Sequence, residues 1–104
     1  MITQSYELNM IPHWTRPIVR VSQYDDGART ISFTLKNGES DYTPVNPTVF
    51  IRETQIPCTV SNNVVSFVVT GNVTQEAGAF EGEIRDDGMG SNNFKFVVDG
   101  TPLE

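Results

Sequence analysis

Apolar residues along this chain recur at every second position in short runs, and clusters of Gly, Pro, Asn and Asp separate the runs. The opening "ITQSYELNM" sets Ile2, Tyr6, Leu8 and Met10 on one side of an extended segment and Thr3, Ser5, Glu7 and Asn9 on the other. Pro12 ends that run, and after Pro17 the stretch "IVRVS" reads as a short strand. "RTISFTLK" is the clearest strand, with Ile31, Phe33 and Leu35 inward and Thr30, Ser32, Thr34 and Lys36 outward. Asn37 to Pro47 has loop composition, and "TVFIRE" resumes extended structure. "PCTVSNNVVSFVV" predicts a hairpin turning at Asn62-Asn63, with Cys58 and Val60 on one face. "FEGEIR" and "NFKFVVD" predict a last hairpin around "DDGMGS", with Phe94, Phe96 and Val98 inward. Helical spacing is confined to one short turn near residues 72–77, between Gly71 and Gly78.

About seven or eight strands with frequent turn signals predict an all-β fold, an antiparallel β-sandwich of immunoglobulin-like size. The cysteine, tryptophan, cysteine framework of antibody domains is absent, because Cys58 is the only cysteine beside the single Trp14. At 104 residues the chain is expected to form one domain, residues 1–102, with residues 103–104 read as a scar of cloning. Hydrophobic residues at 38% and charged residues at 19% exclude a collagen-like or coiled-coil chain. A net charge of -6 repels a phosphate backbone, so nucleic acid is not an expected partner. No window reaches the roughly 18 consecutive apolar residues of a membrane helix, and "MITQSYELNM" lacks the basic and apolar regions of a secretory signal. Membrane insertion is not expected. A lone cysteine suits synthesis in a reducing compartment.

The acidic step Asp25-Asp26-Gly27 raises three readings: metal cluster, catalytic pair or turn. A calcium loop needs oxygen ligands at alternating positions and a later glutamate, and neither this stretch nor its counterpart Asp86-Asp87-Gly88 supplies that series. An Asp that bonds its own backbone and a Gly at positive φ make a turn, so both steps are assigned as turns. His13 is the only histidine, which leaves a zinc site without a second imidazole. Cys58 with His13 carries no mark of an activated thiolate. Glu81 and Glu83 stand on one strand face, roughly 7 Å apart by strand rise, a spacing that a glycosidase pair or a solvated face would share. Asn72-Val73-Thr74 matches a glycosylation sequon and is read as helix-start chemistry. Trp14, Tyr24 and Tyr42, with Tyr6, are the candidate aromatic contact surface, and Trp14 lies in the loop between Pro12 and Pro17.

"VSQYDDGARTISFTLKNG", "CTVSNNVVSF", "VTQEAGAFEGEI" and "NNFKFVVDG" span most of Val21 to Gly100. Together they resemble the N-terminal domain of the upper baseplate protein family of tailed phages of Gram-positive bacteria, also found in prophages. The stretch Val49 to Cys58 departs from that pattern, being shorter than the family's glycine-containing hairpin. The resemblance implies a noncatalytic β-sandwich in the baseplate of a virion tail, made in the cytoplasm of the bacterial host, with no cofactor and with other baseplate or tail proteins as partners. In the family this domain attaches the protein to the tail core, while a longer C-terminal part oligomerises and carries the receptor-binding protein, so self-association belongs to the full-length protein. Asp25, Gly27 and Arg29 fall on the family's turn motif, and Arg29 is expected to pair with Asp25 or Asp26 and fix the turn. The competing expectation is a carbohydrate-binding sandwich that stacks cell-wall sugars on Trp14 and nearby tyrosines.

Overall fold

Ile31, Phe33 and Leu35 are completely buried while the residues between them reach the surface, as strict alternation in a half-buried strand requires. The computed structural model describes residues 2–11, 16–91 and 93–100. In chain order the strands are β1 (Ile2–Asn9), β2 (Ile18–Ser22), β3 (Arg29–Asn37), β4 (Ser40–Asp41), β5 (Pro47–Ile51), β6 (Thr54–Ile56), β7 (Thr59–Ser61), β8 (Val64–Val68), β9 (Gly78–Asp86), β10 (Met89–Gly90) and β11 (Phe94–Asp99). The count exceeds seven or eight because β4, β6, β7 and β10 are pieces of two or three residues. The helical turn is a 3-10 turn at Gly71–Val73, at the start of the stretch where it was expected.

One sheet runs β1-β3-β8-β7, with β4 extending the end of β3, and the other runs β2-β11-β9-β5-β6, with β10 on β9. This is the strand order of an immunoglobulin-type sandwich, with β6 in the C′ place. Pairing is antiparallel, as expected, except at two places. β1 pairs β3 in parallel from Ile2↔Arg29 to Asn9↔Lys36, and β2 pairs β11 in parallel from Ile18↔Lys95 to Ser22↔Asp99. The segment from β1 to β2 changes sheet, so neither strand can form a hairpin with its sequence neighbour, and each runs alongside a distant one.

The core lies between the sheets. The Phe33 ring is its hub, with ring centroids of Phe94, Tyr6 and Phe67 at 4.7, 5.9 and 6.2 Å. Burying one such ring contributes about 1.5–3 kcal/mol. Phe94, Phe96 and Val98 face inward as predicted, and Leu8 and Met10 are buried, but Ile2 at the start of β1 is 54% exposed. Gly82 is what lets Phe94 enter: a methyl group there would overlap the Phe94 ring and lie 2.9 Å from the Phe50 carbonyl oxygen.

Three of the hairpins show how differently positive φ is supplied. Asp87 and Gly88, at φ 50° and 90°, form the two-residue turn joining β9 to β10, with both central residues in the region such turns prefer. Asn62, at φ 54°, turns β7 into β8 as the sequence predicts. Arg52, at φ 58°, turns β5 into β6 without a glycine.

Candidate interaction surfaces

Asp25-Asp26-Gly27 joins β2 to β3, which belong to different sheets, so the step is a crossover and not a hairpin turn. The Asp25 N–H donates to the Ser22 carbonyl at 3.1 Å, which closes a four-residue turn with Tyr24 in its third place at φ 70°. Asp25 Oδ2 accepts from the Ser22 N–H at 2.9 Å and from Arg29 Nε at 2.6 Å. Arg29 also donates to Gln4 Oε1 on β1 at 2.7 Å, so one guanidinium joins the crossover to the edge strand. Both members of the ion pair are mostly shielded, with side-chain exposures of 17% for Asp25 and 23% for Arg29. The neighbouring acid has another partner: Asp26 Oδ1 accepts from the Gly71 N–H at 3.0 Å.

These bonds lace two crossovers together. Residues 69–77 carry the chain from β8 back to β9 in the opposite sheet, and Thr74 donates its hydroxyl to the Asp25 carbonyl at 2.7 Å and accepts the Tyr24 N–H at 2.9 Å. Gly27, at φ 79°, donates to the Val69 carbonyl at 2.8 Å. No group of three His, Cys, Asp or Glu side chains among the described residues could hold a metal ion.

The candidate contact aromatics separate. Tyr24 is 63% exposed at the tip of this crossover. Tyr42 packs against the core and sends its hydroxyl to Asp86 at 2.5 Å, so its polar end is committed inside the molecule. Trp14, like His13, lies outside the described residues. Asp86 is a residue the sequence reading missed: it belongs to an apparent turn step, yet it is 3% exposed. Its carboxylate also accepts from the N–H groups of Val45 at 3.0 Å and Asn46 at 2.7 Å. Burial alone would raise its pKa, but the hydrogen bonds from Tyr42, Asn46 and Val45 outweigh that and hold it below the usual carboxylate range. The Tyr42 phenol, donating a hydrogen bond to this carboxylate and partly desolvated, has its pKa pushed up to about 12.

Two hollows lie beside β6. An apolar groove of about 300 Å³ opens between β6 and β7, with Ile56, Pro57, Cys58, Phe67 and Val68 among its walls. Burial pushes the Cys58 thiol pKa up, and its Sγ donates to the Pro47 carbonyl at 3.3 Å, an arrangement that keeps the thiol protonated. A more polar hollow of about 590 Å³ adjoins it, sharing Asn72 and lined by Arg52, Glu53 and Glu76. Arg52 is 3.5 Å from Glu76 and lies over the Phe80 ring, 4.5 Å from its centroid. Glu81 and Glu83 line a third, smaller hollow, where each already has a partner: Arg85 on Glu83 at 2.8 Å and Asn93 on Glu81 at 3.2 Å.

The four sheet edges differ in what they leave open. β6 and β7 are three residues long. At β2, Gln4 Nε2 donates to the Arg20 carbonyl at 2.9 Å and Asp25 takes the Ser22 N–H, so side chains occupy that edge. β1 has eight residues with an unbroken register to β3. Ile2 N–H donates to the Ala28 carbonyl and Met10 N–H to the Lys36 carbonyl, which fixes the even-numbered residues as those facing β3. The N–H and C=O groups of Thr3, Ser5 and Glu7 therefore point away from the sheet. Comparison of the chain with protein-family models and with curated proteins finds no match.

Proposed function

We propose that this protein is a noncatalytic assembly module of a bacteriophage or prophage tail baseplate, attaching a receptor-binding apparatus to the tail core by protein–protein contact. The resemblance of Val21 to Gly100 supplies the biological setting, and the apolar groove between β6 and β7 is the observation that supports a contact role. Its walls combine buried Ile56 and Phe67 with Val68, which is 41% exposed. A socket of this kind takes an apolar side chain of a partner and is where binding energy concentrates.

The charge of the surroundings supports a basic partner rim. The net charge is -6, and Glu53 and Glu76 stand in the adjoining hollow against Arg52. The partner proposed is a neighbouring tail protein that offers an apolar side chain flanked by Lys or Arg. Isothermal titration of the chain with the tail-core protein encoded beside it tests this. Val68→Lys, at an exposed position, is expected to weaken binding at least tenfold with the melting temperature unchanged. Binding that is indifferent to Val68→Lys would place the contact elsewhere.

A further inference from the structure

β1 is the one described edge that combines length with free hydrogen-bonding groups, and it lacks the usual devices that keep an edge from pairing. It contains no proline, no lysine and no bulge, and its only charge is Glu7. The residues whose backbone faces outward, Thr3, Ser5 and Glu7, are all exposed.

We propose that β1 pairs antiparallel with β1 of a second copy of this chain, across a two-fold axis at Ser5, making one continuous sheet of the two β1-β3-β8-β7 halves. The outward groups dictate the register. In an antiparallel pair the residues that exchange both N–H···O bonds must each face the partner, so odd positions meet odd positions. Centring on Ser5 puts Thr3 opposite the partner's Glu7, Ser5 opposite the partner's Ser5, and Glu7 opposite the partner's Thr3. No like charges meet across the strands, although the chain as a whole is acidic. A two-fold contact of this kind closes on itself and uses both open edges at once. The pairing of a single strand falls below the roughly 1,200 Å² of a tight complex, so the dimer is expected to depend on concentration. The edge lies on the side of the sandwich away from the β6–β7 groove, because β1 and β2 are joined through Gln4 and Arg20.

Light scattering across a concentration series, on the chain alone, tests the pairing apart from any tail protein. The expected result is a mass rising from one chain to two. Ser5→Pro removes an outward N–H and no bond to β3, and is expected to hold the mass at one chain while the fold, followed by thermal melting, persists. Two further variants test the register: Thr3→Lys, facing the partner's Glu7, strengthens the dimer several-fold, and Thr3→Glu weakens it by a similar factor. A native chain that stays at one-chain mass throughout overturns the proposal. So does a dimer that responds identically to Thr3→Lys and Thr3→Glu.

Discussion

The phenol of Tyr42 donates a 2.5 Å hydrogen bond to the buried carboxylate of Asp86, and the same carboxylate receives the N–H groups of Val45 and Asn46. One acid on β9 thereby fastens the segment that crosses from β4 to β5, between the two sheets. Asp86→Ala leaves those donors without their acceptor and is expected to cost about 2–4 kcal/mol in a denaturant melt. Tyr42→Phe, which keeps the ring, is expected to cost about 1–2 kcal/mol.

The same pair predicts two pH limits. Asp86 is held below the usual carboxylate range in the folded state, so its contribution is present above its unfolded pKa, about 3.9, and is lost as pH falls through the lower folded value. Tyr42 is shifted the other way. Its contribution is complete below its unfolded pKa of about 10 and is lost as pH rises to the folded value of about 12. Subtracting the ultraviolet titration of Tyr42→Phe from that of the native chain should isolate one phenol ionising near pH 12.

The Asp25–Arg29 pair predicts a structural role for these two residues in the crossover. Asp25→Ala removes the acceptor of both Arg29 and the Ser22 N–H, and the expected loss is about 1–3 kcal/mol. Asp25→Ala with Arg29→Ala should cost less than the sum of the single changes, since both remove one interaction. Additive losses in thermal melts would show that the residues act independently.

Tyr24 separates stability from contact. At φ 70° a glycine avoids the strain of a side chain, so Tyr24→Gly is expected to change stability by under about 1 kcal/mol, and in the favourable direction. A loss of affinity for the tail-core protein in this variant, with the melt preserved, would make the exposed ring part of the contact surface.

Gly82→Ala tests the packing of Phe94. With the Phe94 ring and the Phe50 carbonyl in its way, the added methyl is expected to destabilise the fold by about 1–3 kcal/mol, measured by denaturant unfolding.

Much of this arrangement was legible in the sequence where local physics decides it. The alternation through Ile31, Phe33 and Leu35, the inward Phe94, Phe96 and Val98, and the turn at Asn62 follow from side-chain period and backbone freedom. Arg29 could be assigned an acidic partner because Asp25 lies only four residues away. The parallel registers of β1 and β2 were not legible, since they join strands far apart in sequence and depend on the change of sheet between them. Arg52 turns a hairpin without the glycine or asparagine that would announce it, held by the pairing of Ile51 with Thr54 and by its N–H on the Glu81 carbonyl. Asp86 looked like its neighbour Asp87, but only Asp87 is the turn residue, and the donors that allow Asp86 to be buried come from residues 42–46. The groove was equally hidden: its walls come from β3, β6, β7 and β8 and the segments that follow β6 and β8, so no run of residues spells it out.

The proposed role, joining a tail protein, is tested by the mass in solution of the chain mixed with a candidate tail-core protein. A defined complex of fixed stoichiometry, abolished by Val68→Lys, is the predicted result. No complex at any ratio, together with a change in Trp14 fluorescence on adding cell-wall polysaccharide, would contradict that role and favour sugar binding.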